Sequence, residues 1–352
     1  MGRRAKVNGV ENFTRAIEHT GPEYPPVLVG VDLSVFHEQD AAKADRIREL
    51  LRRIPDDLLN LSPEYRGTAA PVTEDGVTRW RDHWGTGWVE DGHGAKTEWH
   101  PLEAGYELLD DYAFPDPHAP GLFDRADAQL AERRERYVLG SVWFTLFERL
   151  WMLRGFNNML VDPYLYPEAF AALRDHIVDF NLAIIDAWLA RGAHGVYFSD
   201  DWGSQRGLLI DPDDWRAYYR PSYDRMFRRV REGGAHVWMH LCGNITAILP
   251  DLIDMGLNVL NPVQPQAMNI EELARDFGGK VCFFGGADVQ GVLVRGTPAE
   301  VRNQAERLLR LFACRNGGYI ASTSHGLMPE TPLDNVIALL ETFTAHASAG
   351  RA

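Results

Sequence analysis

Short apolar runs alternate with longer amphipathic stretches through the middle and end of this chain. The short runs are the length of buried strands, and they predict strands at residues 27–31, 137–140, 196–198, 236–240, 259–260, 281–284 and 319–320. The longer stretches predict helices at residues 167–190, 212–232, 245–255, 270–277, 298–313 and 332–345. Several of these helices begin where Asp or Thr precedes Pro, which is typical of a helix start.

This alternation of strand and helix predicts a parallel sheet whose strands are joined by helical crossovers. Seven strands can be identified, and an eighth is inferred. The pattern therefore favours a (β/α)8 TIM barrel that spans residues 1–352 as a single domain. A doubly wound sheet is the alternative, but no G-x-G-x-x-G motif follows the first predicted strand.

Residues 62–101 break the pattern, because this interval is rich in Trp, Gly and Thr. It predicts a Trp-rich β-hairpin insertion after the first barrel unit. Insertions at the carboxyl ends of barrel strands surround the active site, so we expect this one to cover the mouth. Trp84 and Trp88 can close over an apolar or aromatic ligand there, or they can pack the hairpin itself.

The composition is that of an ordinary globular protein, with 45% hydrophobic and 24% charged residues in 352. A net charge of −14 disfavours a nucleic-acid surface, which relies on clustered Lys and Arg. No apolar run approaches the ~20 residues of a membrane span, and no apolar stretch follows the basic N-terminus as in a secretory signal. Three cysteines are too few for a disulfide framework and predict reduced thiols in the cytoplasm: Cys242, Cys282 and Cys314.

The strongest chemical pattern is the strand at 236–240 and the residues that follow it. Because side chains alternate along a strand, His240 and Cys242 lie on one face at its carboxyl end. His325 follows the last predicted strand and therefore opens on the same rim of the barrel. Thiolate and imidazole are ligands that zinc prefers, and three protein ligands leave the open position of a catalytic site. Buried packing is the alternative for a His-x-Cys pair.

Two adjacent carboxylates, Asp200 and Asp201, follow the strand at 196–198. At the rim they can act as general acid or base, or bind substrate through hydrogen bonds. The alternative is that one of them merely caps a loop. Asp201 is the favoured catalytic residue of the two.

Three further polar residues follow predicted strands. Gln264 is expected to line the mouth and contact substrate. Asp288 is expected to assist catalysis as a partner of the zinc ligands, or to serve as a turn residue. Glu148 is a candidate for substrate binding or for a fourth zinc ligand, and pairing with an arginine is its structural alternative.

A set of segments in fixed order resembles the uroporphyrinogen decarboxylase superfamily, from about residue 137 to the end of the chain. These segments are Trp238-Met239-His240-Leu241-Cys242-Gly243-Asn244, Leu260-Asn261-Pro262-Val263-Gln264-Pro265, Phe284-Gly285-Gly286-Ala287-Asp288-Val289-Gln290, Gly296-Thr297-Pro298 and Gly317-Gly318-Tyr319-Ile320. Within that superfamily, methylcobamide:thiol methyltransferases and related O-demethylation enzymes bind zinc through His-x-Cys and a late Cys. His240 and Cys242 match the first two ligands, and His325 stands where those enzymes carry the late Cys.

The resemblance implies a zinc-dependent methyltransferase. It would move a methyl group between a corrinoid protein, or a methoxylated or methylated small molecule, and a thiol or other acceptor. Any corrinoid would arrive on a separate protein. The superfamily's porphyrinogen decarboxylases carry an arginine-rich N-terminal segment, and this chain has no arginines at residues 25–33. Two alternatives stay open: a decarboxylase of a small carboxylic acid, and a non-catalytic barrel that binds a corrinoid or tetrapyrrole.

Overall fold

The described chain is an α/β fold built on a curled parallel sheet of seven strands, with a separate antiparallel sheet of four. The computed structural model describes residues 7–92, 94–132, 135–313 and 316–349. In chain order the strands are β1 (Leu58–Leu61), β2 (Ala69–Glu74), β3 (Val77–Arg81), β4 (Gly87–Glu90), β5 (Ala95–Trp99), β6 (Tyr137–Val142), β7 (Gly195–Ser199), β8 (His236–His240), β9 (Leu257–Val263), β10 (Cys282–Ala287) and β11 (Tyr319–Thr323).

Helices lie between the consecutive strands of the parallel sheet, as the alternating pattern predicted, and further helices precede β1 and follow β11. They are α1 (Gly9–Ile17), α2 (Ala41–Leu51), α3 (Asp124–Leu130), α4 (Phe147–Arg154), α5 (Phe156–Leu165), α6 (Pro167–Ala190), α7 (Pro212–Tyr218), α8 (Arg220–Glu232), α9 (Leu249–Met255), α10 (Ile270–Phe277), α11 (Val292–Arg295), α12 (Pro298–Phe312) and α13 (Leu333–Ala349). Among the described residues, no helix combines the length and apolar character needed to cross a bilayer.

The parallel sheet runs in the order β1-β6-β7-β8-β9-β10-β11, so neighbours in the sheet are also successive in the parallel series. The predicted strand at 27–31 is wrong in extent, because only Val27 forms a bridge, and it pairs with Ala321 of β11. Ala321 also donates its N–H to the Pro26 carbonyl and accepts from the Leu28 N–H. The curl of the sheet thus brings its last strand back to the start of the chain.

One cluster of buried side chains fills the inside of the curl. It takes one or two residues from each of β6 to β11, including Tyr137 and Trp238, and Leu28 and Leu58 pack against it. Phe13 and Ile17 of α1 belong to the same cluster, and the Phe13 ring lies 5.5 Å from Tyr137 and 6.3 Å from Trp238, measured between centroids. Helix α1 therefore closes the amino-terminal end of the curled sheet.

Residues 69–99 form four antiparallel strands in the order β2-β3-β4-β5, in place of a single predicted hairpin. This sheet lies in the chain between β1 and β6. Its Trp80 and Trp88 rings stack at 6.1 Å across β3 and β4. Strand β2 is exposed along its whole length, so only part of this sheet packs against the rest of the protein.

Candidate metal centre

The three predicted metal ligands converge at the carboxyl ends of the strands. His240 ends β8, and Cys242 lies two residues further on the same face. The Cys242 Sγ atom is 3.2 Å from Nε2 of His240. His325 follows β11, and its ligand nitrogen together with those two atoms forms a group in which all separations are within 4.8 Å. One ion can be shared by donors at this spacing after a small adjustment of the exposed His325 side chain.

Sheet register places Asn261 beside His240. Residues Ser199, His240 and Asn261 are paired across β7, β8 and β9. The Asn261 Oδ1 atom lies 2.7 Å from Nδ1 of His240, and it also accepts a hydrogen bond from the Tyr197 hydroxyl. Burial lowers the pKa of His240 below the ordinary histidine value and raises the pKa of Tyr197. Burial thus favours the neutral form of both side chains.

The Cys242 thiol lies in an acidic and partly buried environment. Its backbone N–H donates to Asp201 Oδ1 at 2.9 Å. Burial raises the pKa of the Cys242 thiol, and the nearby carboxylates of Asp201 and Glu148 raise it further. The thiol therefore holds its proton unless a cation takes the proton's place, which is how metal binding couples to deprotonation.

The loop after β8 is fixed by a close approach of two glycines. Gly243 has a φ of +80°, and a Cβ atom there would come within 2.3 Å of the Gly203 carbonyl carbon. The N–H of Gly243 donates to Gln264 Oε1 at 2.6 Å, and Asn244 donates to the Ser204 carbonyl at 2.7 Å. Gln264, predicted to contact substrate, thus holds the ligand loop in place.

The loop that carries His325 is tied to the neighbouring strand. Ser324 donates its N–H to the Ala287 carbonyl at 2.8 Å, and its hydroxyl accepts from the Val289 N–H at 3.3 Å. His325 itself is exposed, and its ring lies 6.1 Å from the His240 ring at an interplanar angle of 67°. The backbone before His325 is anchored while its side chain is free to turn toward an ion.

Asp200 is fully buried and faces the start of α4. Its carboxylate accepts backbone N–H groups of residues 146–148 at 2.9, 2.8 and 2.7 Å, and also accepts from the Tyr223 hydroxyl. Burial raises the pKa of Asp200, and these hydrogen bonds oppose the rise. The geometry is that of an N-terminal cap supplied from a neighbouring strand end.

Asp288 is likewise committed to the backbone of its own loop. It is 2% exposed, and its carboxylate accepts from the N–H groups of Gln290 and Gly291 and from the Gln266 side chain. This is the turn arrangement that the sequence left open. Asp201 differs, because its side chain is 40% exposed and its Oδ1 atom lies 3.8 Å from Nε2 of His240.

Glu148 is a buried carboxyl next to this site. Within the described residues its Oε2 atom is buried and has no hydrogen-bond partner. Burial first, then the charges of Asp200 and Asp201, raise the pKa of Glu148. The arginine beside it in sequence, Arg149, instead pairs with Asp82 of the inserted sheet region at 2.8 Å. Glu148 is thus a buried acid near Cys242, with one oxygen that has no hydrogen-bond partner among the described residues.

The two tryptophans predicted to cover a ligand lie in different surroundings. Trp84 is 3% exposed and packs edge-on against Phe180 of α6 at 4.9 Å. Trp88 is partly exposed and lies 5.7 Å from Phe144, two residues beyond β6. Of the two, only Trp88 lies beside a strand end.

Two residues near the centre were missed from the sequence. Asn261 contacts His240, and its signal was a polar side chain inside the otherwise apolar run of residues 259–263, because buried amides are almost always hydrogen-bonded. Trp143 directly follows β6, is 42% exposed and meets Tyr197 edge-on at 5.7 Å. Its signal in the sequence was a large aromatic side chain just after a strand, at a position that alternation places on the inner face of the sheet.

Sequence comparisons with known proteins point to one family. The family model for uroporphyrinogen decarboxylase (URO-D) matches residues 139–346. Uroporphyrinogen decarboxylases of Bacillus cereus (strain B4264) and Bacillus thuringiensis (strain Al Hakam) are each 27% identical over 198 residues, 56% of this chain and 53% of theirs. The alignment thus spans about half the length of these curated relatives.

A solved structure shares the fold over nearly the whole chain. A methyltransferase from Methanosarcina mazei superposes with a TM-score of 0.65 at 14% identity, covering 96% of this chain and 98% of that one. At this identity the likeness concerns the fold alone. The family match includes β8 and the loop of His325, the two segments that carry the candidate ligands. This chain belongs to the uroporphyrinogen decarboxylase family.

Proposed function

We propose that this protein is a zinc-dependent methyltransferase, with the ion held by His240, Cys242 and His325. It would transfer a methyl group between a corrinoid carried on a separate protein, or a methylated small molecule, and a thiol or other acceptor. The observation that carries the proposal is the convergence of two imidazoles and one thiol within 4.8 Å at the rim. The methyltransferase fold of the Methanosarcina mazei protein is in keeping with it.

The residues present fit zinc by their chemistry. Two nitrogen donors and one sulfur donor from three protein groups leave one position for a substrate, as in catalytic zinc sites. When bound there, zinc would act as a Lewis acid that lowers the pKa of an acceptor thiol. The pKa of the Cys242 thiol is raised without an ion, so ion binding would release its proton.

We assign the remaining roles by exposure and contact. Asp201 is the strand-end aspartate with a substantially exposed side chain, so we propose that it accepts the acceptor's proton. Glu148 would contact substrate, or the ion, through its unpartnered oxygen. Asp200, Asp288 and Gln264 would act through the loops that they hold.

The proposal also includes roles for the segments that surround the site. We propose that residues 26–28 take the eighth strand position of a (β/α)8 barrel and that the inserted sheet shields its mouth. Trp88 lies beside Phe144 at one strand end, where it can cover a bound ligand. Trp84 would support that cover from the core, since it is 3% exposed.

Decarboxylation is the rival function, because the curated relatives are named uroporphyrinogen decarboxylases. A carboxylate substrate calls for a cationic partner. The two residues after each of the seven parallel strands include three aspartates and no lysine or arginine, counted over 14 described positions. This charge distribution favours a neutral or cationic substrate over an acid.

Metal analysis combined with two assays tests the proposal. We expect about one zinc per chain in purified protein, lost in His240→Ala and Cys242→Ala but kept in Cys282→Ala, which removes a buried thiol on β10. Methyl transfer from methylcobalamin to 2-mercaptoethanol is then expected from wild type and from Cys282→Ala. Zinc-free protein that releases carbon dioxide from a small carboxylic acid would support the decarboxylase instead. Methylcobalamin binding without turnover would support a non-catalytic barrel.

A further inference from the structure

The Asn261 amide is buried beside the candidate metal centre, and both of its polar atoms are engaged. Asn261 is 6% exposed and lies in β9, opposite His240 of β8. Its Nδ2 group donates to the Phe284 carbonyl of β10 at 3.1 Å. Its Oδ1 atom faces Nδ1 of His240 at 2.7 Å and accepts from the Tyr197 hydroxyl of β7. One side chain therefore links four adjacent strands.

These contacts define which way the amide points. Rotating the amide by 180° would set Oδ1 against the Phe284 carbonyl oxygen, so that two acceptors would face each other. The same rotation would leave the Tyr197 hydroxyl without its acceptor. With both groups buried, each lost hydrogen bond is costly. The orientation with Oδ1 toward His240 is the one that satisfies every partner.

The amide orientation in turn sets the tautomer of His240. An amide oxygen can only accept, so Nδ1 of His240 must carry the ring proton. The lone pair of the neutral ring then lies on Nε2, which is the atom 3.2 Å from Cys242 Sγ. In the other tautomer, two lone pairs would lie 2.7 Å apart at Asn261, and a proton would occupy the position of the ion.

We propose that Asn261 is a positioning residue that holds His240 as its Nδ1–H tautomer and reserves Nε2 for the metal ion. The inference rests on the proposed zinc centre, and it adds a residue outside the three ligands. It extends to Tyr197 and the Phe284 carbonyl, which hold the amide itself. Outer partners of this kind change metal affinity by about 10- to 100-fold when removed.

Zinc affinity measured by competition with a chromophoric chelator tests the role. Asn261→Leu keeps the side-chain size and removes the acceptor, so we expect zinc to bind about 10- to 100-fold more weakly. Asn261→Asp keeps an acceptor toward Nδ1 of His240 but sets its other oxygen against the Phe284 carbonyl, so we expect a less stable protein whose folded form binds zinc within about threefold of wild type. Asn258→Leu is the matched control, because Asn258 lies on the same strand and accepts only from the Val237 N–H at the far end of β8. Its zinc affinity should equal that of wild type.

A second measurement reads the tautomer directly. In metal-free wild type labelled with ¹⁵N-histidine, the His240 ring is expected to show a protonated Nδ1 and a bare Nε2. An Nε2–H tautomer would overturn the inference even if Asn261→Leu does not fold. Equal zinc affinity in wild type and Asn261→Leu would also overturn it. Wild type that binds no zinc would instead contradict the proposed function. The tautomer measurement would then still decide whether Asn261 sets the Nδ1–H form of His240.

Discussion

The backbone N–H of Cys242 donates a 2.9 Å hydrogen bond to the Asp201 carboxylate. This contact joins the end of β7 to the ligand loop after β8. It keeps a negative charge beside a thiol that must lose its proton to bind an ion. Asp200, the preceding residue, points the other way and caps α4. Two adjacent aspartates therefore have separable roles.

Exchanging each aspartate for asparagine separates those roles. Asp200→Asn turns one carboxylate oxygen into an N–H2 group that faces backbone donors, so we expect the free energy of unfolding to fall by about 2 kcal/mol. Its turnover per folded molecule should stay within about threefold of wild type. Asp201→Asn should change stability little and slow methyl transfer by at least about 100-fold. Urea unfolding and single-turnover transfer measure the two effects, and a slow, fully stable Asp200→Asn would reverse the assignment.

Gly243 should not tolerate a side chain. An alanine there would need a φ near +80° and would press its Cβ against Gly203, so we expect a loss of about 2–4 kcal/mol in the free energy of unfolding, or a displaced loop. Zinc stoichiometry should fall with it. Gly207→Ala is the control, because a Cβ atom at Gly207 would meet nothing within 4 Å and this glycine lies in the loop that carries Gly203. Full zinc content in Gly243→Ala would show that the glycine contact is dispensable.

His83 should make the fold sensitive to acid. Its ring stacks on Tyr65 at 3.8 Å, and burial, followed by the charge of Arg149, lowers the pKa of His83 to about 2. The unfolded chain binds a proton at this residue below its ordinary pKa of about 6.5, and the folded protein does not. This residue therefore lowers the free energy of unfolding as pH falls below about 6.5, by up to about 1.4 kcal/mol per pH unit.

His83→Phe keeps the stacked ring and removes the titration. Between pH 7.5 and 5.5, wild type is expected to lose about 1.4 kcal/mol more stability than His83→Phe. Urea unfolding at both pH values measures the difference. His118→Phe replaces an exposed histidine and should follow wild type. Parallel pH profiles of wild type and His83→Phe would contradict the prediction.

The inserted sheet should depend on one buried ion pair. Arg149 is 2% exposed and binds Asp82, which also accepts the N–H groups of Trp84 and Thr86 and the Trp88 indole. Removing Arg149 leaves a partly buried carboxylate unpaired, so Arg149→Leu should lower the free energy of unfolding by about 3 kcal/mol.

A double-mutant cycle tests whether that cost belongs to the pair. Arg149→Leu combined with Asp82→Asn should be less destabilising than the sum of the single changes, with a coupling above about 1 kcal/mol. The exposed pair of Arg125 and Glu64 serves for comparison and should show no measurable coupling. Additive effects at Arg149 and Asp82 would mean that the carboxylate depends on its backbone donors alone.

Much of the fold could be predicted because helix and strand periods are local. Helices α6 and α10 begin and end where the pattern predicted. The helix predicted at 212–232 is divided at Tyr219, because Pro221 has no N–H to continue the hydrogen bonds of α7 and lies in the first turn of α8 instead. Strand β1 was missed, since four residues with Asn60 among them carry little pattern. Its pairing with β6 depends on residues nearly 80 positions away.

In the candidate site, too, the residues set by local patterns could be predicted and those set by tertiary contacts could not. His240 and Cys242 were predictable from two-residue alternation within one strand, and His325 from its place after another. Asn261 was not, because its role appears only when β8 and β9 are in register. The roles of Asp200 and Asp288 depended on which backbone groups lie near them, and that is decided by the packing of α4 and of the loop after β10. Cys314 lies outside the described residues.

The position of helix α1 implies an order of binding in the proposed reaction. Because Phe13 and Ile17 pack against the buried cluster at the amino-terminal end of the sheet, we expect molecules that reach Cys242 to enter and leave at the carboxyl ends of the strands. A corrinoid macrocycle bound at these strand ends would block the exit of an acceptor or product that lies at Cys242. In the proposed reaction, a small acceptor would then bind before a protein-borne donor docks, and the methylated product would leave after that donor has dissociated.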